Sequence, residues 1–176
     1  MTFESKIWYT RKEIVTKKGE SYMLVPVVTW YNEDNTAEKE GHDFGKIDIG
    51  SSSEEAVVIV WNNRGGTEEA STMENCVLTT KDLNGGNDLE AVAEQYVHVR
   101  NITLGEEDFT PIGGDVEHAI GAGGEAGEGE ILGAINDGTL ENSEGNFVKL
   151  GIKIDLPSTA TNGKNSLWLR LRYTYV

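Results

Sequence analysis

The sequence predicts an all-β fold, an antiparallel β-sandwich or jelly-roll, and three observations carry that expectation. Towards the C-terminus Leu167, Leu169, Leu171, Tyr173 and Tyr175 alternate with Trp168, Arg170, Arg172 and Thr174, the period of a strand with one buried face. Ala56-Val57-Val58-Ile59-Val60-Trp61 is a short, β-branched run bounded by polar and glycine residues, which fits a central buried strand better than a helix. No long helical pattern appears anywhere in the 176 residues.

Taken in order, Lys6–Val15 reads as the first strand, and Lys17-Lys18-Gly19-Glu20 turns the chain into a second run, Tyr22–Tyr31. Pro26 lacks an amide donor and so places that run at a sheet edge or a bulge. Ala56–Trp61 follows, then Cys76–Thr80 and Gln95–Leu104 as further strands, with a single helical turn expected over Leu89–Glu94. Val148, Leu150, Ile152, Ile154 and Leu156 alternate with polar or small residues until Pro157 ends the run. Joined by Ser158–Asn165, residues 147–176 are expected to form an antiparallel pair. No repeat of fixed period is present, and 1–176 reads as one domain.

One stretch departs from this grammar. Residues 105–146 are rich in glycine and acid, most densely over Gly121–Glu130. Glycine freedom and like-charge repulsion predict an extended, mobile loop there. Contacts with neighbouring chains are expected to hold it.

Composition narrows the function. The chain carries 30 Asp and Glu against 15 Lys and Arg, a formal net charge of -15, with 38% hydrophobic residues. That is enough apolar content for a core, so general disorder is excluded. The acidity argues against wrapping nucleic acid. No apolar run reaches the length of a membrane span, and Met1–Lys6 has neither a basic nor an apolar leader region, so no secretion signal is expected. The single cysteine, Cys76, excludes an internal disulfide and a CxxC zinc pair.

The charge is also unevenly placed. Residues 1–19 hold five bases and two acids, residues 146–176 five bases and one acid, and the middle 27 acids and five bases. Basic end-strands of one copy meeting the acidic face of another would fix a docking register.

No catalytic constellation stands out in the sequence. His42, His98 and His118 lack metal-ligand spacing, and His98 reads as an ordinary strand histidine. No nucleophile elbow, P-loop or dinucleotide fingerprint is present. Cys76, followed by Val77 and Leu78, reads as a core residue. With no motif to nominate a reaction, neither an enzyme nor a cofactor is expected. Two binding signals remain. Asp82-Leu83-Asn84-Gly85-Gly86-Asn87-Asp88 resembles a calcium loop but lacks EF-hand spacing, and a turn is the simpler reading. Trp8, Trp30, Trp61 and Trp168 could stack on sugars or fill cores and subunit contacts.

Several segments together carry a family resemblance. Val60-Trp61-Asn62-Asn63-Arg64, Thr79-Thr80-Lys81-Asp82, Phe109-Thr110-Pro111-Ile112-Gly113-Gly114 and Ile131–Gly138 follow one another, before Asn146–Leu156 and Leu167–Val176. In style and order, this set resembles small β-sandwich structural proteins of tailed bacteriophages. The resemblance implies a non-catalytic virion component, either a capsid decoration protein or a tail or baseplate protein. It also implies assembly in the host cytoplasm, in contact with copies of itself and other virion proteins, without membrane or nucleic acid.

On the residues themselves, Trp168, Arg170 and Arg172 form the expected outward contact strip, with Glu125, Glu128 and Glu130 as its acidic counterpart on a neighbour. The alternative expectation is a carbohydrate-binding module that recognises a host surface glycan through exposed tryptophans, with calcium as an aid.

Overall fold

The computed structural model describes residues 2–11 and 25–175. It is nearly all β. The strands are β1 (Thr2–Arg11), β2 (Val28–Asn32), β3 (Gly41–Asp48), β4 (Ala56–Asn62), β5 (Glu74–Asp82), β6 (Val97–Asn101), β7 (Thr110–Ile112), β8 (His118–Ala119), β9 (Phe147–Ile154) and β10 (Gly163–Thr174). They form two five-stranded sheets, ordered β3-β1-β10-β5-β8 and β2-β4-β9-β6-β7. One short helix, α1 (Glu90–Ala93), falls within the expected helical turn and buries Ala91 and Val92.

The sandwich core lies between the sheets. Ile7, Leu78, Leu167, Leu169 and Leu171 from the first sheet pack with Val58, Val60, Val97, Val99, Val148, Leu150 and Ile152 from the second. Burying such rows from both inner faces is the main stabilising term of a two-layer fold. At one end Tyr9 of β1 stacks on Trp30 of β2, ring centroids 4.7 Å apart and nearly parallel, so the pair bridges the two sheets. The Ala56–Trp61 run is indeed central: β4 lies between β2 and β9. It is buried on both sides, because Ile59 and Trp61 form a second cluster with Phe147 on the outer face. β2 is an edge strand, as the proline before it requires. Of the first two expected strands, residues 12–24 lie outside the described residues.

Two expectations of pairing are corrected. The strands within 147–176 do not pair with each other: β9 hydrogen-bonds with β4 and β6, and β10 with β1 and β5. Their connection crosses from one sheet to the other, and their apolar rows meet across the core. Alternation marks a strand's buried face and is silent on whether its neighbour sits beside it or opposite it. The sheets are also not wholly antiparallel, since β1 runs parallel to β10, with Ile7 opposite Leu167 and Tyr9 opposite Leu169. Strands this far apart in sequence have no tight turn to dictate direction.

The glycine- and acid-rich stretch is long and mostly irregular, and contacts within its own chain tie it down. It contributes β7 and β8, and it buries Ile120, Ala122 and Ile131. Backbone hydrogen bonds tie it to β5 and the preceding segment: the Cys76 amide donates to Gly129 at 2.9 Å, Ala70 to Gly133 at 2.8 Å, and Met73 and Ile131 exchange a pair. Buried asparagine side chains do the rest. Asn62 Nδ2 donates to the carbonyls of Ser71 and Ile131 at 3.0 and 3.1 Å, and Asn63 Nδ2 donates to Gly133 at 2.9 Å. Asn146 Nδ2 reaches Leu132 and Ala134 at 3.0 and 2.8 Å. Gly133 is required where it stands, because a Cβ there would lie 2.0 Å from the Ala70 carbonyl oxygen. Irregular backbone can be buried only when its polar groups are paired, and these amides supply the partners.

Candidate contact face

The outer face of the first sheet gathers most of the residues singled out in the sequence. β10 buries Leu167, Leu169, Leu171 and Tyr173 and turns Trp168, Arg170 and Arg172 outward, each half-buried. The parallel register with β1 sets Trp8 beside Trp168, Lys6 beside Ser166 and Glu4 beside Lys164. β3 brings Lys46 opposite Glu4, and β5 brings Lys81 opposite Trp168. Six of the fifteen basic residues, Lys6, Lys46, Lys81, Lys164, Arg170 and Arg172, therefore share one face of an acidic protein.

The face is ordered by contacts of unequal weight. Glu4 forms ion pairs with Lys164 at 3.0 Å and Lys46 at 3.8 Å, both with highly exposed ammonium groups and so worth little to stability. The indoles of Trp8 and Trp168 lie 6.5 Å apart at 53°, and the Lys6 ammonium sits 4.1 Å above the Trp8 ring. Trp168 Nε1 donates to the Leu83 carbonyl at 3.4 Å. Arg172 makes a two-pronged ion pair with Glu117 of the same chain, with Nε 3.1 Å from Oε1. Arg170 lies against the Asp82–Gly86 turn, 3.4 Å from where a Cβ on Gly85 would sit. Its Nε is buried without a hydrogen-bond partner.

That turn is the segment with calcium-loop character. The Asp82 carboxylate is turned onto backbone amides, accepting from Asn84 at 2.8 Å, Gly86 at 2.9 Å and Asp88 at 3.3 Å. These bonds, that of Gly86 foremost, hold its carboxyl below the usual range. Among the described residues no group of three or more His, Cys, Asp or Glu side chains is placed to hold a metal ion.

Among the described residues no ion pair joins Glu125, Glu128 or Glu130 to the strip. Glu125 and Glu128 are exposed at the tip of the Gly121–Glu130 segment, which hydrogen-bonds to the β8 side of β5. Glu130 is half-buried and accepts the Gly127 amide at 2.9 Å. The carboxylate that reaches Arg172 is Glu117, which sequence reasoning missed.

No protein-family model matches the chain, and no curated protein matches it in sequence.

The other sequence candidates are dispersed. Trp30 and Trp61 are buried, which leaves Trp8 and Trp168 as the surface pair. His42 packs edge-on against Phe44 on β3, and burial lowers its pKa. His98 is on β6, lowered by burial as well, and His118 on β8 contacts Glu106 at 2.9 Å. Cys76 is fully buried, and burial pushes its thiol up to about 12. The alternation Phe3, Ser5, Ile7, Tyr9 already turns Trp8 outward, but its partnership with Trp168 depends on a parallel pairing that no local pattern encodes.

Proposed function

We propose that the protein is a non-catalytic structural subunit of a tailed-bacteriophage particle, a capsid decoration or tail or baseplate component that works in many copies. The observation that carries the reading is the concentration of basic and aromatic side chains on one outer sheet face, in a chain of net charge -15. The order of segments shared in style with phage β-sandwich proteins supports the same reading. Each copy offers a modest contact through Trp168 and Arg170, and symmetry multiplies it. The acidic tip of Glu125 and Glu128, with Glu130 behind it, is the complementary surface on the next copy. Because Arg172 already has Glu117 as a partner, its part is to brace the strip. Assembly takes place in the host cytoplasm and the mature location is the virion.

The test is charge reversal. Arg170→Glu combined with Arg172→Glu should abolish self-assembly, while circular dichroism and the unfolding midpoint show a folded monomer. Normal assembly by that variant would refute the reading. Recognition of a glycan is a second reading, favoured by the half-buried Trp8–Trp168 pair.

A further inference from the structure

Next to Trp8 the surface opens into a cleft of about 520 Å³, lined by Lys6, Trp8, Glu38, Lys39, Glu40 and Gly41. We infer that this cleft is a binding site for a neutral oligosaccharide. The inference gives a place and a ligand class to the glycan reading, on which it rests, and it does not depend on the assembly role.

The cleft is built from backbone fixed on both sides. The Tyr9 amide donates to the Glu40 carbonyl at 2.9 Å and the Lys39 amide to the Trp30 carbonyl at 2.8 Å. Gly41 permits the close approach of β3 to β1, since a Cβ would lie 2.4 Å from the Ile7 carbonyl oxygen. Such walls are set before a ligand arrives, so little ordering is required on binding. The volume falls within the roughly 300–1,000 Å³ of small-ligand sites.

Chemistry selects the ligand class. Half-buried Trp8, backed by Trp168, offers an aromatic platform for the C–H face of a pyranose ring. Lys6 and Lys39 supply donors, and Glu38 and Glu40 acceptors, so hydroxyl groups can be met in both directions. Among the described lining residues two lysines and two glutamates balance, which favours a neutral sugar. The Lys6 ammonium now above Trp8 is on a flexible stem; as a sugar stacks, it swings to the ring hydroxyls.

The experiment titrates the full chain with cellotetraose and with chitotetraose, read by tryptophan fluorescence and calorimetry. Saturable binding of at least one probe is expected. Trp8→Ala and, at an exposed position that cannot disturb folding, Lys39→Ala should each weaken it about tenfold or more, a loss of about 1.4 kcal/mol. Trp8→Tyr should retain part of it, and Arg170→Glu should bind as wild type even where assembly is lost. Failure of both probes to bind, or unchanged binding by Trp8→Ala, overturns the proposal. So does an outcome in which Trp8→Ala lowers only the solution mass, because the cleft then seats a second copy.

Discussion

Trp8 and Trp168 are register partners on adjacent parallel strands, and their rings meet with centroids 6.5 Å apart at 53°. The contact joins β1 to β10 on the outside of the sheet, opposite the inward pairing of Ile7 with Leu167. Aromatic pairs of this kind contribute about 0.5–1.5 kcal/mol beyond the area they bury. A double-mutant cycle with Trp8→Ala and Trp168→Ala, followed by urea unfolding, should give a coupling energy within that range. Strictly additive losses would show that the rings act independently.

Asn62 should matter more than its small side chain suggests. Its amide donates to the Ser71 and Ile131 carbonyls at once, and Asn62→Ala would remove both bonds from a dry interior. A loss of about 1–3 kcal/mol is expected from deleting two buried hydrogen bonds. Hydrogen exchange should report selective loss of protection at Met73, Ile131 and Leu132, whose amides tie the long segment down.

How much of this was legible depends on the range of the interaction involved. The buried faces of β4, β9 and β10, the edge position of β2 and the turn at α1 follow from local patterns. The sheet assignment of β9 and β10 does not, because Val148–Ile154 and Leu167–Tyr173 present identical alternation whether they pair or face each other. The anchoring of the 105–146 segment is not legible from composition, because the residues that anchor it, Ile120, Ala122 and Ile131, are diluted by glycine and acid. Asn62 and Asn63 read in sequence only as the polar end of the β4 run, since the partners Ile131 and Gly133 lie about seventy residues away. Trp168, Arg170 and Arg172 were placed on the outer face correctly, while Glu117 had no signal in the sequence.

Asp137 should be among the last carboxyls to protonate. Its side chain accepts from Thr139, foremost, and from Asn142, which lowers its pKa from 3.8 to about 2. Ionisation therefore favours the folded state above the unfolded value, and this contribution is lost as pH falls from about 4 to about 2. Carboxyl titration by NMR should find the low value, and Asp137→Asn should flatten that part of the acid-unfolding curve. An ordinary titration near 4 would contradict the loop geometry.

Cys76 should resist thiol reagents in the native state. It is buried beside Glu130 and Glu74, and its pKa is pushed up to about 12 by burial first and by those carboxylates second. Reaction with a disulfide reagent should wait for denaturant, and prompt native labelling would mean that β5 opens readily.

The most direct test of the central claim is solution mass by light scattering, at low salt and at about 0.5 M salt, where screening reaches only about 4 Å. Contact between the Trp168–Arg170 strip and the acidic tip of another copy predicts an oligomer at low salt that shrinks as salt rises. It also predicts that Arg170→Glu/Arg172→Glu stays monomeric throughout. A wild-type chain that is monomeric in both conditions, or an oligomer indifferent to salt and to those substitutions, would contradict the claim.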